Sequence, residues 1–266
     1  MTILDKIIEH KRDEVALLKK RNPLSAVREA AETRGNFRSL RQIMNDDETF
    51  HFICEIKKAS PSRGVIREDF DPVRQAAFYS EGGASAISVL TDEKFFMGHI
   101  DYLGTVRRVV NLPILRKDFI IDPYQIYESK AGGADLILLI ASVLSSEQID
   151  EFIGLARELR LDVLLEVARP QEAEEVSHPE QIIIGINNRD LHSFEVRLEN
   201  SLEIRPLLPK EALVIAESGI HSKEDCRKLQ AHGFRGALIG EALMTASDPV
   251  ATLREFVRGT QLAHPA

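Results

Sequence analysis

Residues 131–167 read AGGADLILLIASVLSSEQIDEFIGLARELRLDVLLEV. Two short apolar runs, 136–140 and 163–167, flank a stretch of helical length and composition that begins near Ser146. A run apolar at every position suits a strand buried on both faces, as in a parallel sheet covered by helices. The segment is therefore expected to be strand, helix, strand. Moving outward, the same alternation recurs. Further apolar runs fall at 52–57, 86–90, 114–117, 182–187, 213–217 and 237–240, making eight in all. Helical stretches begin between them near Pro72, Ile100, Pro123, Pro170, Ser201 and Lys223, and another near Pro249 closes the pattern. Eight βα units without a reversal predict closure into a (β/α)8 TIM barrel, an α/β fold.

An internal echo supports the repeat. Glu81-Gly82-Gly83-Ala84 precedes one run, Ala131-Gly132-Gly133-Ala134 a second and Ala231-His232-Gly233-Phe234 the last. A glycine there can cap a helix C-terminus and turn the chain sharply into the next strand. These junctions are read as structural. Before the first strand, Ile3, Leu4, Ile7, Ile8, Val15, Leu17 and Leu18 lie among charges as in an amphipathic helix. Asn22-Pro23 interrupts it, and residues 23–33 resume a helical composition. The expected organisation is one domain over 1–266, with an N-terminal helical extension at 1–48 covering part of a barrel at about 50–260.

The 266 residues are 44% hydrophobic and 29% charged, which suits a globular chain. A formal net charge of −8 disfavours nucleic acid and anionic membrane as partners. The N-terminal stretch is highly charged without an apolar core, so no signal peptide is expected, and the longest apolar run, 136–141, is too short to span a bilayer. A cytoplasmic protein is expected. The two cysteines, Cys54 and Cys226, form no disulfide framework or zinc spacing and are read as buried thiols. His51, His99, His192 and His221 are scattered, which favours surface or loop roles, and no metal is expected.

Strand parity exposes the anomaly. Alternate residues of a barrel strand point inward, where Val, Ile and Leu are the rule. By that count Glu55 and Lys57, Lys117, Glu166, Asn187 and Arg189, and Glu217 all share the inward face at the C-terminal ends of five strands. Burying charges costs free energy, and even paired ones contribute little net stability. A purely structural core has no reason to collect three acids and three bases there, whereas an active site does, because that end of the barrel is where barrel enzymes build their sites. Neighbouring opposite charges can also push pKa values apart and so divide acid from base roles. After the seventh and eighth strands come Glu217-Ser218-Gly219-Ile220 and Ile239-Gly240-Glu241-Ala242. Small residues let backbone N–H groups approach an anion, and the loops after strands seven and eight are a frequent phosphate site.

These residues resemble a known family. Glu55-Ile56-Lys57-Lys58-Ala59-Ser60-Pro61-Ser62 is similar to the first-strand motif of indole-3-glycerol phosphate synthases. Leu115-Arg116-Lys117-Asp118-Phe119-Ile120 resembles their third-strand motif, Leu164-Leu165-Glu166-Val167 the fifth, Gly185-Ile186-Asn187-Asn188-Arg189-Asp190-Leu191 the sixth and Ala216-Glu217-Ser218-Gly219-Ile220 the seventh. The similarity extends over nearly the whole chain. It implies ring closure of 1-(2-carboxyphenylamino)-1-deoxyribulose 5-phosphate, with loss of carbon dioxide and water, to indole-3-glycerol phosphate in tryptophan biosynthesis. It also implies no cofactor, a monomer, and an N-terminal extension lying over the active-site mouth.

The resemblance assigns roles by position. Lys117 matches the general acid and Glu166 the base, with Lys57, Glu55 and Asn187 completing the catalytic set. Ser60, Arg189, Glu217 and Ser218 match substrate contacts, and Phe96, Phe119 and Leu138 an apolar wall for the anthranilate ring. Ser218, Gly219, Gly240 and Glu241 match phosphate contacts; Glu241 stands where many members have Ser, so only its backbone N–H suits an anion. Two other readings remain at this stage. A related phosphate-binding barrel isomerase would be shorter and would use a Cys–Asp pair, but Cys54 faces away from Glu55. A non-catalytic barrel sensing a phosphorylated ligand would keep the loops at Ser218 and Gly240 without needing Lys117, Glu166 and Lys57.

Overall fold

The computed structural model describes residues 2–45, 49–190 and 195–261. Leu191 and His192 lie outside the described residues. Eight parallel strands form the closed barrel: β1 (His51–Ile56), β2 (Ala86–Leu90), β3 (Ile114–Lys117), β4 (Leu136–Ile140), β5 (Asp162–Val167), β6 (Ile183–Asn187), β7 (Leu213–Glu217) and β8 (Gly236–Ile239). Each strand pairs with the next in sequence, and β8 closes on β1 through pairs such as Phe52 with Ala237. The strand bounds differ from the sequence expectation by at most one residue, with Lys57 and Gly240 falling just beyond their strands.

The outer helices start where local chemistry satisfies their first N–H groups. Asp71-Pro72, Asp122-Pro123 and Asp248-Pro249 each place a capping carboxylate before a proline whose missing N–H costs nothing in the first turn. Ser145 and Ser222 open two more helices through capping boxes with Gln148 and Asp225. At the far ends, Gly83 and Gly133 take left-handed φ values of 99° and 113°, which an L side chain resists. The repeated Gly-Gly junction is thus the turn from helix to strand, as its spacing suggested.

Two apolar cores result. One lies between sheet and helices, where Cys54, Val89, Leu139 and Leu165 meet helix residues such as Leu229 and Leu253. The other fills the barrel with Ile53, Leu115, Leu138, Leu164, Ile215 and Leu238. The residues of each core follow the expected parity. His51 is a correction: it begins β1, is buried, and bonds through Nδ1 to Ser85 Oγ at 3.1 Å rather than lying on the surface.

The N-terminal extension grips the barrel at both ends. Helix α1 (Ile3–Arg21) lies at the end bearing the strand C-termini, while α2 (Leu24–Thr33) packs beside the helix Pro123–Gly132. Helix α3 (Leu40–Asn45) closes the opposite end, its Leu40 and Met44 fully buried among the inner residues. Burial of side chains of this size contributes roughly 1.5–3 kcal/mol each. Polar ties flank that plug: Arg34 pairs with Asp135 at 2.8 Å, Ser39 donates to Asp162 at 2.9 Å, and Arg235 donates to the Met44 carbonyl at 2.7 Å. Leu17, counted in the amphipathic pattern, is half exposed, so the buried stripe of α1 is narrower than its apolar content. No described helix is long and apolar enough to cross a membrane.

Candidate active site

The C-terminal mouth of the barrel holds a cavity of about 460 Å³. Its centre is Lys117, the last residue of β3. The ammonium donates to Glu166 Oε2 at 2.8 Å and to Glu217 Oε2 at 3.0 Å. Glu166 sits near the end of β5 and Glu217 ends β7, while Glu55 projects from β1. All four come from odd-numbered strands, and alternate strands are the ones that supply a single layer of a barrel interior. Where a structural barrel would stack branched aliphatics, this layer is one lysine and three glutamates.

Around it the remaining polar groups connect. Lys57, just past β1, donates to Glu55 Oε1. Asn187 donates to Glu166 Oε1 at 3.0 Å and accepts the Arg189 backbone N–H at 3.0 Å. Glycine makes the layer possible: a Cβ on Gly185 would lie 2.0 Å from Glu217 Oε1, and one on Gly240 would lie 2.5 Å from Glu55 Oε1. Gly240 therefore gives up its side-chain space to a carboxylate as well as standing in the loop after β8.

Charge and burial set the protonation states. Burial alone would lower the Lys117 pKa, but Glu166, Glu217 and Glu55 outweigh it and hold the ammonium above the ordinary lysine range. Burial would raise Glu55, yet Lys57, Lys117 and Arg189 hold it below the usual carboxylate range. Glu217 goes the other way. Burial, with Lys117 lowering and Glu166 raising, leaves its carboxyl pushed up to about 7.

An apolar wall stands on one side. Phe96, at the end of the short helix Glu93–Phe96, meets Phe119 with ring centroids 6.1 Å apart, and Leu138 of β4 lies beside them. The two small-residue loops line the same cavity. Ser218 and Gly219 are both left-handed, at φ 64° and 72°, and Asn188 Nδ2 donates to the Ser218 carbonyl at 3.0 Å. Ser60 reaches the cavity from a short hairpin, Ala59–Ser60 against Gly64–Val65. Glu241 turns its carboxylate to Arg63 of that hairpin, which answers the repulsion its charge would otherwise exert on a phosphate.

Every residue singled out from the sequence for substrate, phosphate or proton transfer lines this one cavity. The cover over the mouth that the resemblance implied is made by Ile3, Leu4 and Ile7 of α1, whereas Arg63 and His221, which also border the cavity, were not assigned to the site from the sequence. The apolar stripe of α1 was visible, but nothing in its pattern says which end of the barrel it covers.

Residues 4–256 match the indole-3-glycerol phosphate synthase family. The chain is 45% identical to indole-3-glycerol phosphate synthase of Lachnoclostridium phytofermentans, across 96% of this chain and 98% of that one. It is 46% identical to the protein of the same name from Carboxydothermus hydrogenoformans, across 92% and 96%. In fold it is similar to 3-hexulose-6-phosphate synthase of Salmonella typhimurium, with TM-score 0.63 and 12% identity over 79% of this chain and 98% of that one. Thiamine phosphate pyrophosphorylase of Pyrococcus furiosus superposes with TM-score 0.59 and 19% identity over 84% and 98%. These last two likenesses concern the fold alone.

Proposed function

The chain belongs to the indole-3-glycerol phosphate synthase family, and from that premise we propose how its site closes the indole ring. The substrate is 1-(2-carboxyphenylamino)-1-deoxyribulose 5-phosphate, and the products are indole-3-glycerol phosphate, carbon dioxide and water. The observation that carries the reading is the Lys117 ammonium, held between two carboxylates in a cavity that apolar rings and small-residue loops also line.

The phosphate sits at Ser218, Gly219, Gly240 and the backbone of Glu241, where small side chains leave N–H groups accessible. The anthranilate ring lies against Phe96, Phe119 and Leu138. The ring carbon bearing the carboxylate attacks the ribulose carbonyl. As that bond forms, negative charge develops on the carbonyl oxygen, and Lys117 delivers a proton to it. Its raised pKa keeps it charged until an alkoxide appears that is basic enough to take the proton. Carbon dioxide then leaves, and its bonding pair restores aromaticity. In the dehydration Lys57, oriented by Glu55, protonates the departing hydroxyl, and Glu166, near the ring nitrogen, removes a proton from the adjacent methylene carbon, so that water is lost and the indole keeps its N–H. Asn187 holds Glu166 in place, and Arg189, Ser60 and Glu217 position the substrate.

The chain works as a monomer in the cytoplasm. A closed barrel has no unpaired sheet edge to recruit a second copy, and two buried free thiols, Cys54 and Cys226, suit a reducing compartment. Pure, folded protein incubated with the carboxyphenylamino substrate is expected to generate indole fluorescence. Absence of that signal would remove the proposed reaction.

A further inference from the structure

A second charged cluster lies beside Lys117, and of its members only Asp118 borders the cavity. Lys11 of α1 places its ammonium 3.0 Å from Asp92, 3.0 Å from Asp118 and 3.0 Å from Glu14. The side chains of Lys11 and Asp92 are 0% exposed. Asp118 also accepts from Thr91 Oγ1 at 2.5 Å and from Arg116 Nη2 at 3.1 Å, and it caps the Phe119 N–H at 2.8 Å. Arg116 continues to Glu128 at 2.8 Å and to the Gln125 carbonyl at 3.1 Å. The residues immediately before and after Lys117 therefore both belong to this cluster. Strand parity sends their side chains outward and that of Lys117 inward.

The position of Lys11 is informative. The buried face of α1 is Leu4, Ile7, Lys11 and Val15, so a lysine occupies a place in an otherwise apolar stripe. If that stripe served docking alone, an apolar residue would do as well, because a buried ion pair contributes little net stability over a hydrophobic replacement. What an ion cluster adds is direction: each carboxylate must sit within bonding distance of the ammonium. Asp92 in turn caps the helix Glu93–Phe96 that carries Phe96 to the cavity wall.

We propose that Lys11 is a positioning residue for Lys117. Seated between Asp92 and Asp118, its ammonium clamps the end of β3 from outside and docks α1 so that Ile3, Leu4 and Ile7 close the cavity. This rests on the role proposed for Lys117. The charges support it: burial would lower the Lys11 pKa, but Asp118, Asp92 and Glu14 hold it above the lysine range, so the clamp stays charged.

The test is Lys11→Met, a near-isosteric loss of charge, followed by indole fluorescence and thermal melting of the full chain. Misplacing a reacting group by about 1 Å can cost on the order of 100-fold, so a partial loosening is expected to lower kcat at least about tenfold while KM rises no more than about threefold. Val15→Ala is the control. It loosens α1 by its packing alone and should lower the melting temperature with kcat within about twofold of wild type. Kinetics in Lys11→Met no worse than in Val15→Ala would reduce Lys11 to a structural role and overturn the proposal. Should Lys11→Met fail to fold, Lys11→Met with Asp92→Asn removes one carboxylate left unpaired; kcat should stay depressed, and a wild-type kcat overturns the proposal equally. A wild type that makes no product fails differently: it removes the reaction assignment, and the Lys11 role with it.

Discussion

Gly185→Ala is a one-carbon change that should damage catalysis while leaving the fold intact. Gly185 lies in β6 opposite Glu166 on one side and Ile215 on the other. An added Cβ would stand 2.0 Å from Glu217 Oε1, about 1.4 Å short of the 3.4 Å at which ordinary contact begins. The obstructing atom ends a side chain, so the carboxylate yields rather than the sheet. The methyl also comes within 3.1 Å of Leu164 Cδ1, a smaller adjustment. Glu217 is one of two carboxylates holding Lys117, and the other, Glu166, stays. Lys117 should follow by part of that displacement, and a shift approaching 1 Å costs up to about 100-fold. We expect kcat to fall about 10- to 100-fold, a barrier increase of about 1.4–2.7 kcal/mol. Stability should change little, since the glycine φ is unremarkable and alanine reduces unfolded-chain entropy by about 0.4–1 kcal/mol. Indole fluorescence gives kcat and KM, and a melting curve gives the stability. Adding Glu217→Ala removes both the obstruction and the carboxylate, so on that background Gly185→Ala should have no further effect on kcat. A wild-type kcat in the single variant, or fully additive losses in the double, would refute the reasoning.

Three further outcomes test the site. Lys117→Ala should lower turnover by about 10²–10⁴-fold, the usual contribution of a general acid, while inorganic phosphate still binds in a calorimetric titration; near-normal turnover would remove Lys117 from the acid role. Ser218→Glu should raise KM strongly with a smaller effect on kcat, by placing negative charge at the phosphate, and unchanged kinetics would relocate that subsite. The raised pKa of Glu217, about 7 and caused chiefly by burial, means that it ionises as pH rises through neutrality and only then gives Lys117 its second anionic partner. The pH profile of kcat/KM should therefore fall on the acid side of about 7, as a property of the coupled cluster, and Glu217→Gln should flatten that limb; persistence of the limb in the variant would assign it elsewhere.

Much of the fold was legible because a barrel is built from local signals repeated eight times. Apolar runs mark strands, capping pairs such as Asp122-Pro123 mark helix starts, and Gly83 and Gly133 mark the turns between. The inward ring was legible by arithmetic alone: a charge two residues from an apolar residue on a strand shares its face, which places Glu55, Lys117, Glu166 and Glu217 together from the sequence. The pairings among them were not legible, because which carboxylate reaches Lys117 depends on stagger between strands far apart in sequence. Nor was the partner of Glu241, since its approach to Arg63 depends on how the hairpin after β1 folds back.

The outer cluster shows why a signal can be present and still go unread. Arg116 and Asp118 have the opposite parity to Lys117, so they face helices where aliphatic side chains are the rule, and that is as anomalous as a charge facing inward. Taken alone, each passes for a solvated charge at a strand end. Lys11 passes for an ordinary lysine among the charges of α1, although it interrupts an otherwise apolar stripe at positions 4, 7, 11 and 15. The anomalies become one only when α1 is laid across the end of β3, and nothing local encodes that crossing. The buried Lys11–Asp118 contact spans more than a hundred residues and brings together two elements that each looked satisfied. A charge on the wrong face of a strand and a charge in the stripe of a helix are therefore complementary observations: each implies a buried partner, and here each is the other's.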